Sequence, residues 1–282
     1  MSRDLRPGPE LAPSGHGRAK GLISERSSGS RIDTRSFAPP PGLADVIESL
    51  WYGRWSLPDD APHTTELLGD PCVHIVFEHN ASRVVGVWTR RWIRTLCGRG
   101  FVRAAKLRAG ATAAFFDRPA HALSNRLEPL PSLFRAATQD AMQAVIDPAS
   151  DHDGLGALAR FLSAVRRPPD PATPIAVRAV AAMPPGEASS VEDWAREQGL
   201  STRQLQRLFR LHVGASPKFL LKRRRLQHVA LQIERGQGSN LAELAAELGY
   251  ADQAHLARDV RAAVGLSPHA LRERLRRSGP DG

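Results

Sequence analysis

The chain has 282 residues, room for one large domain or two ordinary ones. Its hydrophobic content of 41% supports a packed core, and 39 Lys+Arg against 29 Asp+Glu leave a net charge of +10, which favours a polyanionic partner without choosing between nucleic acid and an anionic surface. No run approaches the roughly 18 apolar residues of a membrane span, and the charged start MSRDLRPGPE lacks the apolar segment of a secretory signal. The only cysteines, Cys72 and Cys97, fit a pair of buried free thiols in a reducing cytoplasm better than a disulfide scaffold.

Residues 1–35 are rich in Pro, Gly, Ser and Arg, carry no hydrophobic period, and read as a disordered lead. From 36 the pattern changes to that of a β-rich domain. Val73, Ile75 and Phe77 alternate as in a half-buried strand. His79-Asn80-Ala81-Ser82 reads as a turn into a second strand with Val84, Val85, Val87 and Trp88. Ile93 to Cys97 is a third, and Gly98-Arg99-Gly100 turns into a fourth from Phe101. Helical spacing follows in Leu133 to Ile146 and Leu155 to Val165, closing a domain of 36–167. Prolines at 168, 169 and 171 mark 168–173 as a stiff linker. Thr173 before Pro174 reads as a cap opening a helix to about Met183. The final domain then spans 174–277, with a tail at 278–282. The fold class is thus α+β with two domains: a β-rich, cupin-like first domain ending in helices, then an all-α domain.

The all-α part contains a repeat. Val191, Trp194, Ala195 and Gly199 match Leu241, Leu244, Ala245 and Gly249 at an offset of 50. After one inserted residue the offset is 51, and Leu205, Arg207, Val213, Gly214, Ser216 and Pro217 match Leu256, Arg258, Val264, Gly265, Ser267 and Pro268. A duplicated sequence of this size implies a duplicated structure. Each copy reads helix, tight turn, helix. Ser190 with Asp193 and Asn240 with Glu243 cap the first helices. Gly199 and Gly249 end them in the left-handed conformation that glycine adopts cheaply. Ser201 with Gln204, and Asp252 in the second copy, cap the second helices. A small alanine, a glycine four residues on and a capped amphipathic helix together form the sequence of a helix-turn-helix.

In the helix after Ser201, Leu205, Leu208 and Phe209 form the buried stripe. Arg203, Gln206, Arg207 and Arg210 recur on another face. Arg and Gln are the side chains that bond bidentately to guanine and adenine edges in the major groove. Between the copies, Pro217 to about Arg235 makes one long helix with Lys222-Arg223-Arg224-Arg225, so that 203–235 hold nine Lys or Arg and one acid. Basic residues there add phosphate contacts, which strengthen binding without reading sequence.

With these residues in view, 174–277 resembles the DNA-binding domain of AraC/XylS-type transcriptional regulators. The similar stretch is LAELAAELGYADQAHLARDVRAAVGLSPHALRER, with Gly249-Tyr250, Arg258 and Gly265-x-Ser267-Pro268. The resemblance implies two motifs joined by a long helix, bacterial cytoplasmic gene regulation, and double-stranded DNA as partner. It further implies a homodimer in many members and RNA polymerase as a partner of those that activate. It implies base contacts from Arg203, Gln206 and Arg207, and from Gln253, Ala254, Ala257 and Arg258; Arg210 and Arg261 are also expected on DNA, and Ser201, Lys222 and Arg224 on phosphates. Ala254 and Ala257 depart from the family's larger polar groups, and an alanine touches a thymine methyl but makes no hydrogen bond. The first motif is therefore expected to carry most base specificity and the second to anchor. Three segments, Leu67 to Phe77, Val85 to Arg90 and Lys106 to Ala111, more weakly resemble the β-rich domain preceding some of these regulators, which implies a small-molecule effector or dimerisation there.

Rival readings attach to the first domain. Pro71-Cys72-Val73-His74 is similar, with its order scrambled, to the Cys-His pair of DNA alkyl-transfer repair enzymes. A nucleophilic cysteine needs a base and an electropositive setting, and structural strand residues are the favoured reading, so no enzyme is expected. His63, His74, His79 and His121 lack the paired spacing of a zinc site, and neither metal nor cofactor is expected. Residues 83–108 hold eight Lys or Arg and no acid, which suits a second nucleic-acid surface, an anionic-effector pocket or a solvated sheet face. An architectural DNA binder without sequence preference is the last alternative.

Overall fold

The computed structural model describes residues 22–26, 31–58, 62–184, 190–234 and 241–277. Among the described residues, nine strands form two sheets. The larger runs in the order β2 (Arg31–Phe37), β3 (Ile47–Ser56), β8 (Arg99–Leu107), β5 (His74–Glu78), β6 (Arg83–Val85) and β9 (Leu127–Pro129). The smaller is β1 (Leu22–Arg26), β4 (His63–Leu67) and β7 (Trp92–Leu96), and every pairing is antiparallel.

Alternation along the strands gives the large sheet two buried faces. Ile47, Leu50, Ile75, Phe77, Ala105 and Leu107 point into the principal core. Trp55, Val76, Val102 and Ala104 form a second cluster, where Leu96 of β7 also packs, so the sheets face one another there. The turn at 79–81 falls where the sequence places it, with Asn80 at φ 58°. The strands expected around Val73, Val84, Ile93 and Phe101 are present as β5, β6, β7 and β8, with Val87 and Trp88 lying beyond the end of β6.

The expected disordered lead is corrected in part, since β1 and β2 fall inside it. Partners, and not pattern, make β2 a strand: its backbone completes the free edge of β3 in register from Arg31↔Ser56 to Phe37↔Leu50. Strand membership depends on such context more than on local composition. The residues before 22 lie outside the described part.

Four helices lead out of the sheets: α1 (Leu130–Leu133), α2 (Gln139–Ile146), α3 (Asp151–Val165) and α4 (Ala172–Ala181). The helix expected from Leu133 starts instead at Gln139, because the Thr138 side chain accepts from Ala141 N and caps it. Buried Phe134 and Ala137 extend the apolar spacing upstream and mimic more helix. The linker at 168–173 is also corrected. Asp170 accepts from Ala172 N (3.2 Å) and Thr173 Oγ1 (2.9 Å), starting α4 before Thr173. Arg167 N donates to the Ala114 carbonyl at 2.8 Å, pinning the segment to the first domain.

The remaining helices are α5 (Val191–Glu197), α6 (Thr202–Leu208), α7 (Pro217–Glu234), α8 (Leu241–Glu247), α9 (Gln253–Val264) and α10 (Pro268–Arg277). Phe209–Val213 continues α6 as a π-helical turn. The principal core runs without a break from the sheet through α3 into Trp194, Leu205, Phe209, Val213 and Leu220. A separate core holds Leu226, Val229, Leu244, Leu248, Leu256, Val260, Val264 and Leu271. The first of these helical units is thus continuous with the β-rich domain, whereas the second is centred on itself. Among the described residues, no helix is long and apolar enough to cross a membrane.

Candidate nucleic-acid interface

The first motif is built around Trp194. Its ring is fully buried, its indole N–H donates to the Ala179 carbonyl at 3.0 Å, and it meets Phe209 edge-on at 5.0 Å. The Ser190 hydroxyl accepts from Asp193 N at 3.0 Å and so caps α5. That hydroxyl and the Arg196 guanidinium hold the Asp193 carboxyl below the usual carboxylate range. Gly199 turns the chain at φ 65°. Ser201 then forms a reciprocal capping box: its hydroxyl accepts from Gln204 N (3.3 Å), and its own N–H donates to Gln204 Oε1 (2.8 Å).

These contacts fix the phase of α6. Leu205 and Phe209 are buried with no exposed surface. Arg203, Gln206, Arg207 and Arg210 are all exposed, so the four residues singled out in the sequence face solvent together. Leu208 is half-buried at the margin. The π turn then carries the chain to Gly214, whose N–H donates to the Phe209 carbonyl at 2.8 Å. A five-residue bond has no signature in apolar spacing, and the sequence gives no sign of it.

The second motif repeats the plan with a turn one residue longer, Gly249-Tyr250-Ala251-Asp252. Asp252 accepts from His255 N at 2.6 Å, Gly249 has φ 70°, and Leu256, Val260 and Val264 are buried. Gln253, Ala254, Arg258 and Arg261 are exposed and Ala257 is half-buried. Arg258 Nε bends back to the Ala254 carbonyl at 3.4 Å. The expected cap at Asn240 lies outside the described residues. Tyr250, buried in the turn, meets His255 edge-on at 5.1 Å and lies 6.0 Å from the Arg225 guanidinium.

On the connecting helix, two of the residues expected on phosphates have protein partners. Lys222 Nζ sits 2.7 Å from Asp259, and Arg224 donates to the Pro184 carbonyl. Both cations tie α7 to its neighbours, because acceptors distant in sequence fold against different sides of the helix. Ser201 remains exposed, with its hydroxyl engaged in the capping box.

The basic run 83–108 is mostly answered inside the first domain. Arg83 and Arg94 share Glu78 at 2.9 and 2.6 Å. Lys106 lies 3.3 Å from both Glu48 and Asp70, and Arg108 donates to the Ala44 carbonyl at 2.7 Å. Arg103 is buried, bonded to Asp151 at 2.6 Å and to the Val145 carbonyl, with its guanidinium 4.2 Å from the Phe101 ring centre. A cleft of about 1170 Å³ opens beside it, lined by Asp33, Arg54, Phe101, Asp147 and Asp151 among others. Within it, Arg54 and Arg103 both pair with Asp151, at 2.9 and 2.6 Å.

Cys72 is buried, and burial, with Asp70 and Glu48 close by, pushes its thiol well up. The Cys72 Sγ–H donates to Glu48 Oε2 at 3.9 Å, and His74 points its Nε2 at Asp70 (3.4 Å). Cys97 is exposed, which corrects the expectation of two buried thiols. His79 and His121 lie apart, His79 against Asp147 and His121 against the Arg210 carbonyl. Among the described residues, no group of three or more His, Cys, Asp or Glu could hold a metal ion.

Residues 194–274 match the family model described as "Helix-turn-helix domain". The C-terminal region is a helix-turn-helix domain. A helix-turn-helix domain is a DNA-binding module. Residues 35–129 match a second model, described as "Domain of unknown function (DUF6597)". Comparison with curated proteins gave no match. Similar solved structures include the C-terminal domain of AraT, a response regulator from Geobacillus stearothermophilus, at 23% identity and TM-score 0.33, covering 37% of this chain and 88% of that one. A probable AraC family transcriptional regulator from Rhodopseudomonas palustris CGA009 is 28% identical, with TM-score 0.29 and coverage of 36% and 92%. ToxT from Vibrio cholerae spans more, 89% of this chain and 98% of its own, at 9% identity and TM-score 0.38. At these TM-scores the structures carry no functional argument, which rests on the domain match and the geometry above.

Proposed function

We propose that this chain is a sequence-specific transcriptional regulator whose two recognition helices, α6 and α9, enter successive major-groove segments of one DNA face. The observation that carries this reading is the phase of α6. Four Arg and Gln side chains are presented to solvent by a helix whose opposite side is fully buried, within a capped and duplicated motif. With 18 residues, α7 spans about 27 Å at 1.5 Å per residue, a length suited to holding two such helices roughly one DNA turn, about 34 Å, apart. Arg203, Gln206, Arg207 and Arg210 read bases in this proposal. Gln253, Arg258 and Arg261, with the methyls of Ala254 and Ala257, mainly anchor the second segment. A small effector at the β-rich domain would act through the contacts which that domain makes with both motifs.

Selection of bound sequences from random DNA tests the reading directly: two short elements about one helical turn apart are expected, and no enrichment would leave only an architectural binder. Titration of the selected DNA at fixed salt then ranks the motifs. Arg207→Ala should cost about 1–3 kcal/mol and relax specificity at one position. A larger loss of specificity from Arg258→Ala would overturn the division of labour.

A further inference from the structure

The β-rich domain grips the second motif at two places that leave its recognition face open. Leu68, in the loop between β4 and β5, is buried in the second motif's own core. Next to it, the Gly69 carbonyl accepts from Arg223 Nε of α7. In the loop before β7, Arg91 Nη1 donates to the Val264 carbonyl at 3.1 Å, at the C-terminal end of α9. A guanidinium there also meets the negative end of the helix dipole. The two loops interlock: a Cβ at Gly69 would stand 2.2 Å from the Trp88 carbonyl oxygen, and Trp88 N donates to the Asp70 carbonyl at 2.9 Å. Behind them, Asp70 is anchored between His74 (3.4 Å) and Lys106 (3.3 Å) in the sheet domain.

We propose that loops 68–70 and 88–91 are a latch that holds the second helix-turn-helix motif, otherwise a separate body, in the pose that presents α9 for DNA. The mobile joint of the molecule then lies at α7, between the motifs, and not at the proline-rich segment before α4. Two observations set the direction of the effect. The first motif shares its core with the β-rich domain, so it has no comparable freedom. The latch touches the buried side and the carbonyl end of the second motif, while Gln253, Ala254, Arg258 and Arg261 stay exposed; it therefore organises the recognition helix and does not cover it. The latch as a physical connection stands on these contacts alone, while its role on DNA rests on the function proposed above.

Amide hydrogen exchange on the full-length protein tests the connection without DNA. Arg91→Ala, and separately Arg223→Ala, should speed exchange in α8–α10 by about tenfold, the loss expected of one hydrogen bond from a charged group, and leave α5–α6 unchanged. The exposed Arg135→Ala, outside both loops, should change neither region. Affinity for selected DNA carrying both elements should fall by about tenfold in Arg91→Ala, while affinity for DNA carrying the first element alone stays the same. Equal exchange in the two motifs, or no change in either, would overturn the latch. Faster exchange in α8–α10 with undiminished two-element binding would overturn its role on DNA. Failure of the unaltered protein to select any sequence would sink the proposed function while leaving the exchange result to decide the latch, so the two failures are told apart.

Discussion

The two helix-turn-helix copies share caps, turn glycines and buried positions, yet they are embedded differently. Trp194 of the first lies in the core that reaches back to Leu107 and Phe77 of the sheet. Its counterpart in the repeat, Leu244, lies in a small core to which the β-rich domain contributes Leu68. Equivalent positions in a duplicated sequence therefore stabilise different cooperative units. The recognition faces diverge alongside: the first is lined by Arg and Gln, while the second keeps Gln253, Arg258 and Arg261 but has alanines at 254 and 257. The firmly embedded copy is the one proposed to read bases.

The sharpest way to break that comparison is to remove the two core anchors. Trp194→Ala should cost about 3–5 kcal/mol and Leu244→Ala about 2–5 kcal/mol. The first loss should lower the unfolding midpoint of the entire chain. The second should split calorimetric unfolding, with α8–α10 melting early and the remainder near its original temperature. A single shared transition in both variants would show that the copies form one unit.

Substitution at the glycines that end helices gives a smaller and graded effect. Gly214 has φ 84°, and a Cβ there would stand 2.9 Å from the Ala120 carbonyl oxygen, a backbone atom that cannot swing away. Left-handed strain and overpacking together put Gly214→Ala at about 2–4 kcal/mol. Gly199, at φ 65°, faces open space, so Gly199→Ala should cost about 1–2 kcal/mol from backbone strain alone. Denaturant midpoints check the order, and equal losses would mean that the first motif is not pressed against the Ala120 turn.

The smallest difference is expected at the caps. Ser201→Ala and Asp252→Ala should each cost about 0.5–2 kcal/mol, since each accepts a comparable bond from the third residue of its helix. Chemical unfolding that separated them by more than the width of that range would show that the capping box around Gln204 does more than close a helix end.

The contrast between what the sequence discloses and what it conceals follows the range of the interactions. Ser190, Ser201, Asp252, Gly199 and Gly249 act on residues three or four positions away, so spacing alone identifies them. The exposed face of α6 was legible for the same reason: once Leu205 and Phe209 are inside, helical geometry puts Arg203, Gln206, Arg207 and Arg210 outside. The partners of Lys222 and Arg224 were not legible, because Asp259 and Pro184 lie 37 and 40 residues away and only the folded chain brings them together. Strands β1 and β2 escaped for a related reason, their pairing being dictated by open strand edges elsewhere. The eight cations of 83–108 looked like a surface because the carboxylates that answer several of them, Glu78, Asp70, Glu48 and Asp151, all fall outside the run.

The π turn at Phe209–Val213 bears on how duplicated units drift apart. Gly214 and Gly265 each stand thirteen positions beyond their capping residues, Ser201 and Asp252. Gly265 N nevertheless closes onto the carbonyl four residues back, and Gly214 N onto the one five back. Equal lengths of chain thus finish at different angles about their helix axes, without any insertion or deletion in the helix. One end has become a seat for the Ser124 hydroxyl, which donates to the Gly214 carbonyl at 2.6 Å, and the other a seat for Arg91. A single backbone hydrogen bond thus distinguishes the ends of the two copies, each of which meets a different partner.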